Sequence, residues 1–576
     1  MHFIVKHLDK IKQIATELYG PVETEKFLTT LKDLLKTHQS GNPPVNPVRK
    51  ELDESDLALI CYGDNFRSTD ISHLQSLKVF LDEHLAGLIS LVHLLPFYPY
   101  SSDDGFAVID YKKVNPDFGD WADIKDLHQN FELIFDAVVN HISAKSHWLR
   151  EYLNGNPDYS DFFIDIDPGV DLSEVTRARV HPLLTRFEKA GKPVHLWTTF
   201  SEDQVDLNYQ NPRVLLEVID ILLFYASQGA RIIRLDAIGH LWKRIGTSCL
   251  SLKEAHQIVQ LFHLVMDLAY PDVLLLSETN VPFRENLSYF GNGQNEVQMV
   301  YQFALPGLVL YSLHRSDATA LMNWLKTVPP APGKCLYLNV LATHDGIGVR
   351  PLEGILSDPE IAAIADNIAQ TGGYTSSKKS TDGSLCPYEL NSTYYSALAT
   401  FQDESLNIRK YLASQAILLS LAGLPAIYIH SLFGTENDCD SARTTGQKRS
   451  VNRRKFNLSE IRGILSNPEN RMTKIFFAYK KMIEIRRQQR AFHPKGSQKV
   501  IPIAGEVFSI LRSSPDNLES ILVLINMTPE ILPVALPENV FQSKNKIRNI
   551  LTDSPVQVRK EIEMSPYQVL WLKGQK

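Results

Sequence analysis

The chain has 576 residues, more than one compact core accommodates, so a large domain with smaller attachments is expected. Its 44% hydrophobic and 22% charged content is that of an ordinary soluble protein, and a net charge of −7 argues against nucleic acid, whose partners normally carry a basic face. No apolar run approaches the ~20 residues of a spanning helix, which argues against a membrane partner.

The start, MHFIVKHLDKIKQ, mixes charges with apolar residues and lacks a small-residue cleavage site, so no signal peptide is predicted. Ile11, Ile14, Ala15 and Leu18, then Phe27, Leu28, Leu31, Leu34 and Leu35, fall at helical spacing. They predict an N-terminal helical extension over 1–50, a helical pair packed on the main body. The Gly- and Pro-rich stretch 40–47 ends it. Five widely spaced cysteines (Cys61, Cys249, Cys335, Cys386 and Cys439) fit free thiols in a reducing compartment, the cytoplasm.

From about residue 55, short apolar runs ending in polar residues alternate with amphipathic segments. The runs span 57–62, 87–96, 133–141, 230–240, 273–280, 297–305, 336–345 and 424–430. Eight such runs with helical crossovers predict an α/β fold, a (β/α)8 TIM barrel of parallel strands buried on both faces. An open doubly wound sheet would give similar runs, but no Gly-rich phosphate loop follows the first. The barrel is therefore split into 51–141 and 206–490, with an inserted domain at 142–205. A loop at 350–400, holding Gly372, Gly373 and a Ser/Thr/Lys-rich stretch, is expected to be partly mobile. Short alternating strands at 507–511, 521–526 and 567–572 predict a small C-terminal β-domain over 491–576.

Barrel active sites lie at the carboxyl ends of the strands. Those positions hold Asp103, Asp104 and Phe106, then Asn140 and His141, then Arg234, Asp236 and His240, then Glu278 and Asn280, and last His344 and Asp345. Five acids and three imidazoles on one rim would repel without a use for them. Cleaving a glycosidic bond with retention needs a nucleophilic carboxylate and a carboxylic acid about 5–5.5 Å apart. Asp236 and Glu278 end adjacent strands and suit those roles. Arg234, two residues before Asp236 and so on the same face, would keep the nucleophile ionised. Glu278 follows an apolar run, and partial burial would raise its pKa, as a general acid requires. His141 and His344 can donate to sugar hydroxyls, and Asp345 can bind the 2-OH and 3-OH in the transition state.

The stretches DAVVNH (136–141), RIIRLDAIGH (231–240), SETN (277–280) and ATHD (342–345) resemble, in order, the four signature regions of glycoside hydrolase family 13. QVDLNY (204–209) resembles its fifth, and the likeness runs from about 55 to 490. By position, the resemblance implies Asp236 as nucleophile, Glu278 as acid/base and Asp345 as transition-state stabiliser, with Arg234, His141 and His344 in the donor-glucose subsite.

THDGIGV (343–349), NSTYYSAL (391–398), GLPAIYIHSLFGTEND (423–438) and RSVNRRKF (449–456) resemble the sucrose-phosphorylase group, subfamily 18. Members of that group pass an α-glucosyl unit from a small glucoside to inorganic phosphate through a covalent glucosyl-enzyme. The resemblance implies that Asp103 and Arg453 clamp the glucose, that Phe106 and Phe200 wall its pocket, and that Tyr388 stands on the acceptor loop. It also implies that Arg177 and Arg179 face phosphate. Core packing for the two aromatics and a solvated surface pair for the two arginines are the competing readings. Departures from sucrose phosphorylase (the N-terminal extension, Asn280, Glu389 and His240, with SDDGF at 102–106) resemble the branch that acts on glucosylglycerate. Glu389 would repel glycerate unless it turns away or pairs with an arginine. Sucrose, sucrose 6-phosphate and glucosylglycerol are alternative donors, and hydrolysis and a non-catalytic scaffold are the other classes weighed. Asn140 could suggest the calcium site of many amylases, but this subfamily generally lacks it; no metal and no cofactor are expected. The role of residues 1–50, a dimer contact among them, is left open.

Overall fold

The computed structural model describes residues 2–41, 51–177, 179, 181–379, 385–536, 547–556 and 561–574. Eight strands form a closed barrel: β1 (Ala58–Cys61), β2 (Leu91–Leu94), β3 (Glu132–Val138), β4 (Ala230–Asp236), β5 (Leu274–Ser277), β6 (Met299–Tyr301), β7 (Leu336–Asn339) and β8 (Leu424–Tyr428). Each pairs in parallel with its sequence neighbours, and β8 closes on β1 through Ala58↔Ala426 and Ile60↔Tyr428. All eight arise from the eight apolar runs. Each run stays apolar because helices cover the outside while side chains fill the inside.

The strands stop sooner than the runs do. β3 ends at Val138, β5 at Ser277 and β7 at Asn339. Glu278, His344 and Asp345 therefore stand on loops beyond the barrel ladder, and His141 opens a short strand of a separate ladder. Release from the ladder lets these residues turn their side chains over the barrel mouth.

The N-terminal helix α1 (His2–Gly41) is kinked at Gly20, whose φ of 77° is left-handed, with Pro21 next in the chain. Gly adopts that φ without a Cβ clash, and Pro removes the N–H that would bridge the kink. The two halves bury Ile11 and Ala15, then Phe27, Leu31 and Leu35, against α2 (Pro212–Ser227) and α3 (Lys253–Ala269). Burying a side chain such as Phe27 or Leu31 contributes ~1.5–3 kcal/mol. Polar ties add direction: Tyr19 donates to Tyr209 O at 3.0 Å, and His38 Nε2 lies 2.7 Å from Asp220 Oδ1. Residues 42–50, which hold most of the expected boundary stretch, lie outside the described residues.

Between β3 and β4, the strand His141–Ser143 pairs antiparallel with Gln204–Asp206, closing the insertion at its base. After β7, the strands Ile347–Gly348, Tyr374–Lys379 and Leu385–Asn391 form a sheet beside a helix, Asp358–Gln370. The sequence predicts only a loop there. Ser357 and Glu360 form a capping box, and Ile361, Ile364, Ala365 and Ile368 bury one face of that helix. Residues 380–384, part of the Ser/Thr/Lys-rich stretch, lie outside the described residues. A six-stranded antiparallel sheet built on Val507–Ser513 and Ser520–Asn526 forms the C-terminal unit, with an apolar core of its own. Arg512 ties it to the barrel by donating to Ser420 O at 2.6 Å and His493 O at 2.7 Å.

Candidate active site

β4 turns Arg234 and Asp236 to the barrel interior, and Glu278 follows the neighbouring β5. Arg234, 2% exposed, forms an ion pair with Asp136 and donates from Nη1 to Asp236 Oδ1 at 3.0 Å; its Nη2 lies 3.9 Å from Glu278 Oε2. Asp136 in turn lies 2.8 Å from His93 Nε2. The Ala237 N–H donates to Glu278 Oε2 at 3.0 Å. Ala237 has a left-handed φ of 55°, a strained conformation for alanine that the adjoining site over-determines.

Burial pushes the Asp236 carboxyl well up. Arg234 opposes this, but Glu278, Asp136 and Asp345 push the same way as burial. Arg234, expected to keep Asp236 ionised, does favour its charge, but the guanidinium is shared with Asp136 and works against burial. Burial also raises Glu278, against Arg234 and with Asp345. Two raised carboxyls on one guanidinium retain a proton more readily than isolated acids do.

Asp345 behaves differently. Burial works to raise it, but Arg449, Arg453, Arg234 and Arg179 together hold it below the usual carboxylate range. Arg449 forms an ion pair with Asp345 and donates from Nη2 to Glu389 Oε1 at 2.6 Å. Glu389 also has Arg179 Nη1 at 3.9 Å and is held low despite burial. The carboxylate that would repel an acidic acceptor is thus neutralised by arginine. Arg453 donates from Nη1 to Asp104 Oδ2 at 2.7 Å and to Asp103 Oδ1 at 3.4 Å, so Asp104, not Asp103, is its nearer partner.

The walls are aromatic. Phe106 stacks on His344, with ring centroids 4.7 Å apart and an interplanar angle of 4°. Phe200 packs against His141 at 5.2 Å and His240 at 5.4 Å. Burial lowers the pKa of His141 and His344 and drives His240 down to about 3, so all three rings are neutral near pH 7. His141 Nε2 lies 3.0 Å from Phe106 O. Behind this wall, Lys243 Nζ donates to Asn140 Oδ1 at 2.8 Å and to the His240 carbonyl, and pairs with Asp206 Oδ2 at 2.6 Å. An ammonium thus sits among the oxygens that, read from Asn140, suggested a cation. Among the described residues, no group of three or more His, Cys, Asp or Glu side chains is arranged to hold a metal.

One cavity of about 110 Å3 gathers most of these groups. Asp236, Glu278, Asp345, Asp103, Phe106, His141, Phe200, Asn280, His344, Tyr388, Glu389 and Arg179 all line it. Arg234, Arg453 and His240 stand one layer behind the lining. Arg177 does not reach it: its guanidinium is used by the carbonyl of His181, and the side chain is exposed. Of the two arginines expected to face phosphate, Arg179 lines the cavity, and Arg449 lines it too. Arg449 lay in a motif singled out for its resemblance, yet its role needs two partners distant in sequence. Asp136 lies inside β3 rather than at its end, where strand-end positions do not mark it.

The catalytic domain of α-amylase matches residues 83–345. A glucosylglycerate phosphorylase of Spirochaeta thermophila is 44% identical, over 98% of this chain and 98% of its own length. Another, from Escherichia coli, is 39% identical over 98% of this chain and 100% of its own. The crystal structure of sucrose 6F-phosphate phosphorylase from Thermoanaerobacter thermosaccharolyticum superposes with a TM-score of 0.73 at 26% identity, covering 89% of this chain and 98% of that one.

Proposed function

The chain belongs to glycoside hydrolase family 13 with the glucosylglycerate phosphorylases, and on that premise we propose that it transfers the glucosyl unit of 2-O-α-glucosylglycerate to inorganic phosphate. The products are α-glucose 1-phosphate and glycerate. In the first displacement the Asp236 carboxylate attacks the anomeric carbon while Glu278 protonates the departing glycosidic oxygen, leaving a glucosyl ester on Asp236 and free glycerate. In the second, a phosphate oxygen attacks the same carbon from the vacated side. Its proton passes to Glu278, and Asp236 leaves as carboxylate. Two inversions give net retention.

Local contacts support this division of labour. Arg234 hydrogen-bonds Asp236 at 3.0 Å but stands 3.9 Å from Glu278, so the guanidinium favours negative charge on Asp236 over Glu278, against the burial that raises both. Asp345, held ionised by Arg449 and Arg453, suits the cationic transition state. Phe106, Phe200, His141 and His344 enclose the sugar.

The observation that carries the phosphorylase reading is the arginine pair on the acceptor side. Arg449 neutralises Glu389, while Arg179, 28% exposed and 3.9 Å from Glu389, keeps its donors for an oxyanion. Phosphate and glycerate, both anions, use that cation in turn. Tyr388 and Asn280 line the same end. No helix among the described residues is long and apolar enough to cross a membrane, and Cys61, Cys249, Cys335 and Cys439 are free thiols, as a reducing cytoplasm would keep them.

The test is a panel of glucosides (glucosylglycerate, glucosylglycerol, sucrose and sucrose 6-phosphate) incubated with phosphate and scored for glucose 1-phosphate. Glucosylglycerate is expected to react fastest. Preference for sucrose, or glucose release without phosphate, would overturn the reading.

A further inference from the structure

Asp345 stands beyond the last ladder residue of β7, Asn339, so the strand does not fix its height over the barrel mouth. What holds it is one short 3-10 helix, Lys448–Asn452, and the residue after it. Arg449 pairs with the Asp345 carboxylate, and Arg453 Nε donates to His344 O at 2.8 Å. Between them Asn452, buried, donates from Nδ2 to Thr343 O at 3.2 Å and to Asp345 O at 3.1 Å. The amide has two protons and these two carbonyls use both. A reversed amide would set its oxygen against two carbonyl oxygens, so the orientation is determined.

Asn452 is itself held from behind. Its backbone carbonyl accepts from Tyr428 OH at 2.9 Å, and Tyr428 is the last residue of β8. Asn452 and His430 border a small cavity of about 10 Å3, and Asn452 Oδ1 and His430 Nε2 have no protein hydrogen-bond partner.

We infer that Asn452 is a positioning residue: by gripping the carbonyls on both sides of His344 it sets where the Asp345 carboxylate meets the transition state. It does not line the sugar cavity and acts only through that loop. The inference rests on the role proposed for Asp345.

The test uses α-glucosyl fluoride as donor with inorganic phosphate, so that it does not depend on which aglycone is natural. Asn452→Ala is expected to lower kcat about 100-fold, with KM for both substrates changed by less than about threefold. Binding of a cationic iminosugar mimic of the transition state should weaken in step with kcat. Asn452→Asp keeps the volume but loses both donors and should behave alike; it carries the test if the alanine variant does not fold. Full kcat in either variant, or a rise in KM with kcat preserved, would overturn the inference. Asp345→Asn in the same assay separates the two ideas. If it is inactive while the Asn452 variants are active, only this inference fails; if it is fully active, the role given to Asp345 fails.

Discussion

Arg234 donates to Asp236 at 3.0 Å and reaches Glu278 at 3.9 Å, so one buried guanidinium touches both carboxyls of the proposed displacement. The contact is unequal, and it favours charge on Asp236, the proposed nucleophile, on a pair of side chains that burial raises together.

Glu278→Gln should lower kcat/KM for glucosylglycerate by ~10²–10⁴-fold, since glycerate leaves poorly without a proton. With α-glucosyl fluoride, whose leaving group needs little protonation, the first step should be largely preserved. Initial rates on the two donors check this. Equal losses on both would contradict an acid role.

The pH profile should carry Glu278 on its alkaline limb, because the reaction needs that group protonated and burial raises its pKa above the ordinary 4.5. The negative charge of Asp345 also pushes it up. Asp345→Asn removes that push, so the alkaline limb of the residual kcat/KM should move to lower pH. A limb that stays in place would assign it to another group.

Arg449 serves Asp345 and Glu389 together, and removing it takes the nearest cation from both, leaving Arg453 at 3.7 Å from Asp345 and Arg179 at 3.9 Å from Glu389. Arg449→Met should destabilise the fold by ~1–3 kcal/mol. Glu389→Gln in the same chain should restore part of it, giving a coupling of ~1 kcal/mol or more in a urea-unfolding double-mutant cycle. Additive losses would show that the pair does not interact.

Lys243 satisfies Asn140, Asp206 and the His240 carbonyl with its three protons. Burial works to raise Asp206, yet Lys243 and Thr199 hold it below its ordinary 3.8. A carboxyl lowered on folding contributes stability above its unfolded pKa, near 3.8, and loses it as pH falls through the folded value. Lys243→Met should therefore cost ~3–5 kcal/mol near neutrality, and less at pH values below Asp206's titration. Denaturation at several pH values tests this; an unchanged midpoint at pH 7 would refute it.

The barrel and its rim were legible because buried parallel strands write themselves as apolar runs, with the chemistry just past each run. Less legible was where a strand stops: β7 ends at Asn339, well before His344, and no period in 336–345 marks the change. Arg177 and Arg179 sit two residues apart on an irregular segment, where alternation gives no rule for which one points inward. The helix Asp358–Gln370 carries its own signal in Ser357, Glu360 and the Ile361–Ile368 spacing, but Gly372 and Gly373 drew the reading towards a loop. Arg449 depends on meeting Asp345 and Glu389 in space, which local sequence does not encode.

The most direct test of the account is to capture the intermediate. Glu278→Gln, given α-glucosyl fluoride without phosphate, should accumulate one anhydroglucose unit, found by peptide mapping on Asp236. Adding phosphate should discharge it as α-glucose 1-phosphate. An adduct on another residue, no adduct at all, or one that phosphate leaves untouched would contradict the account.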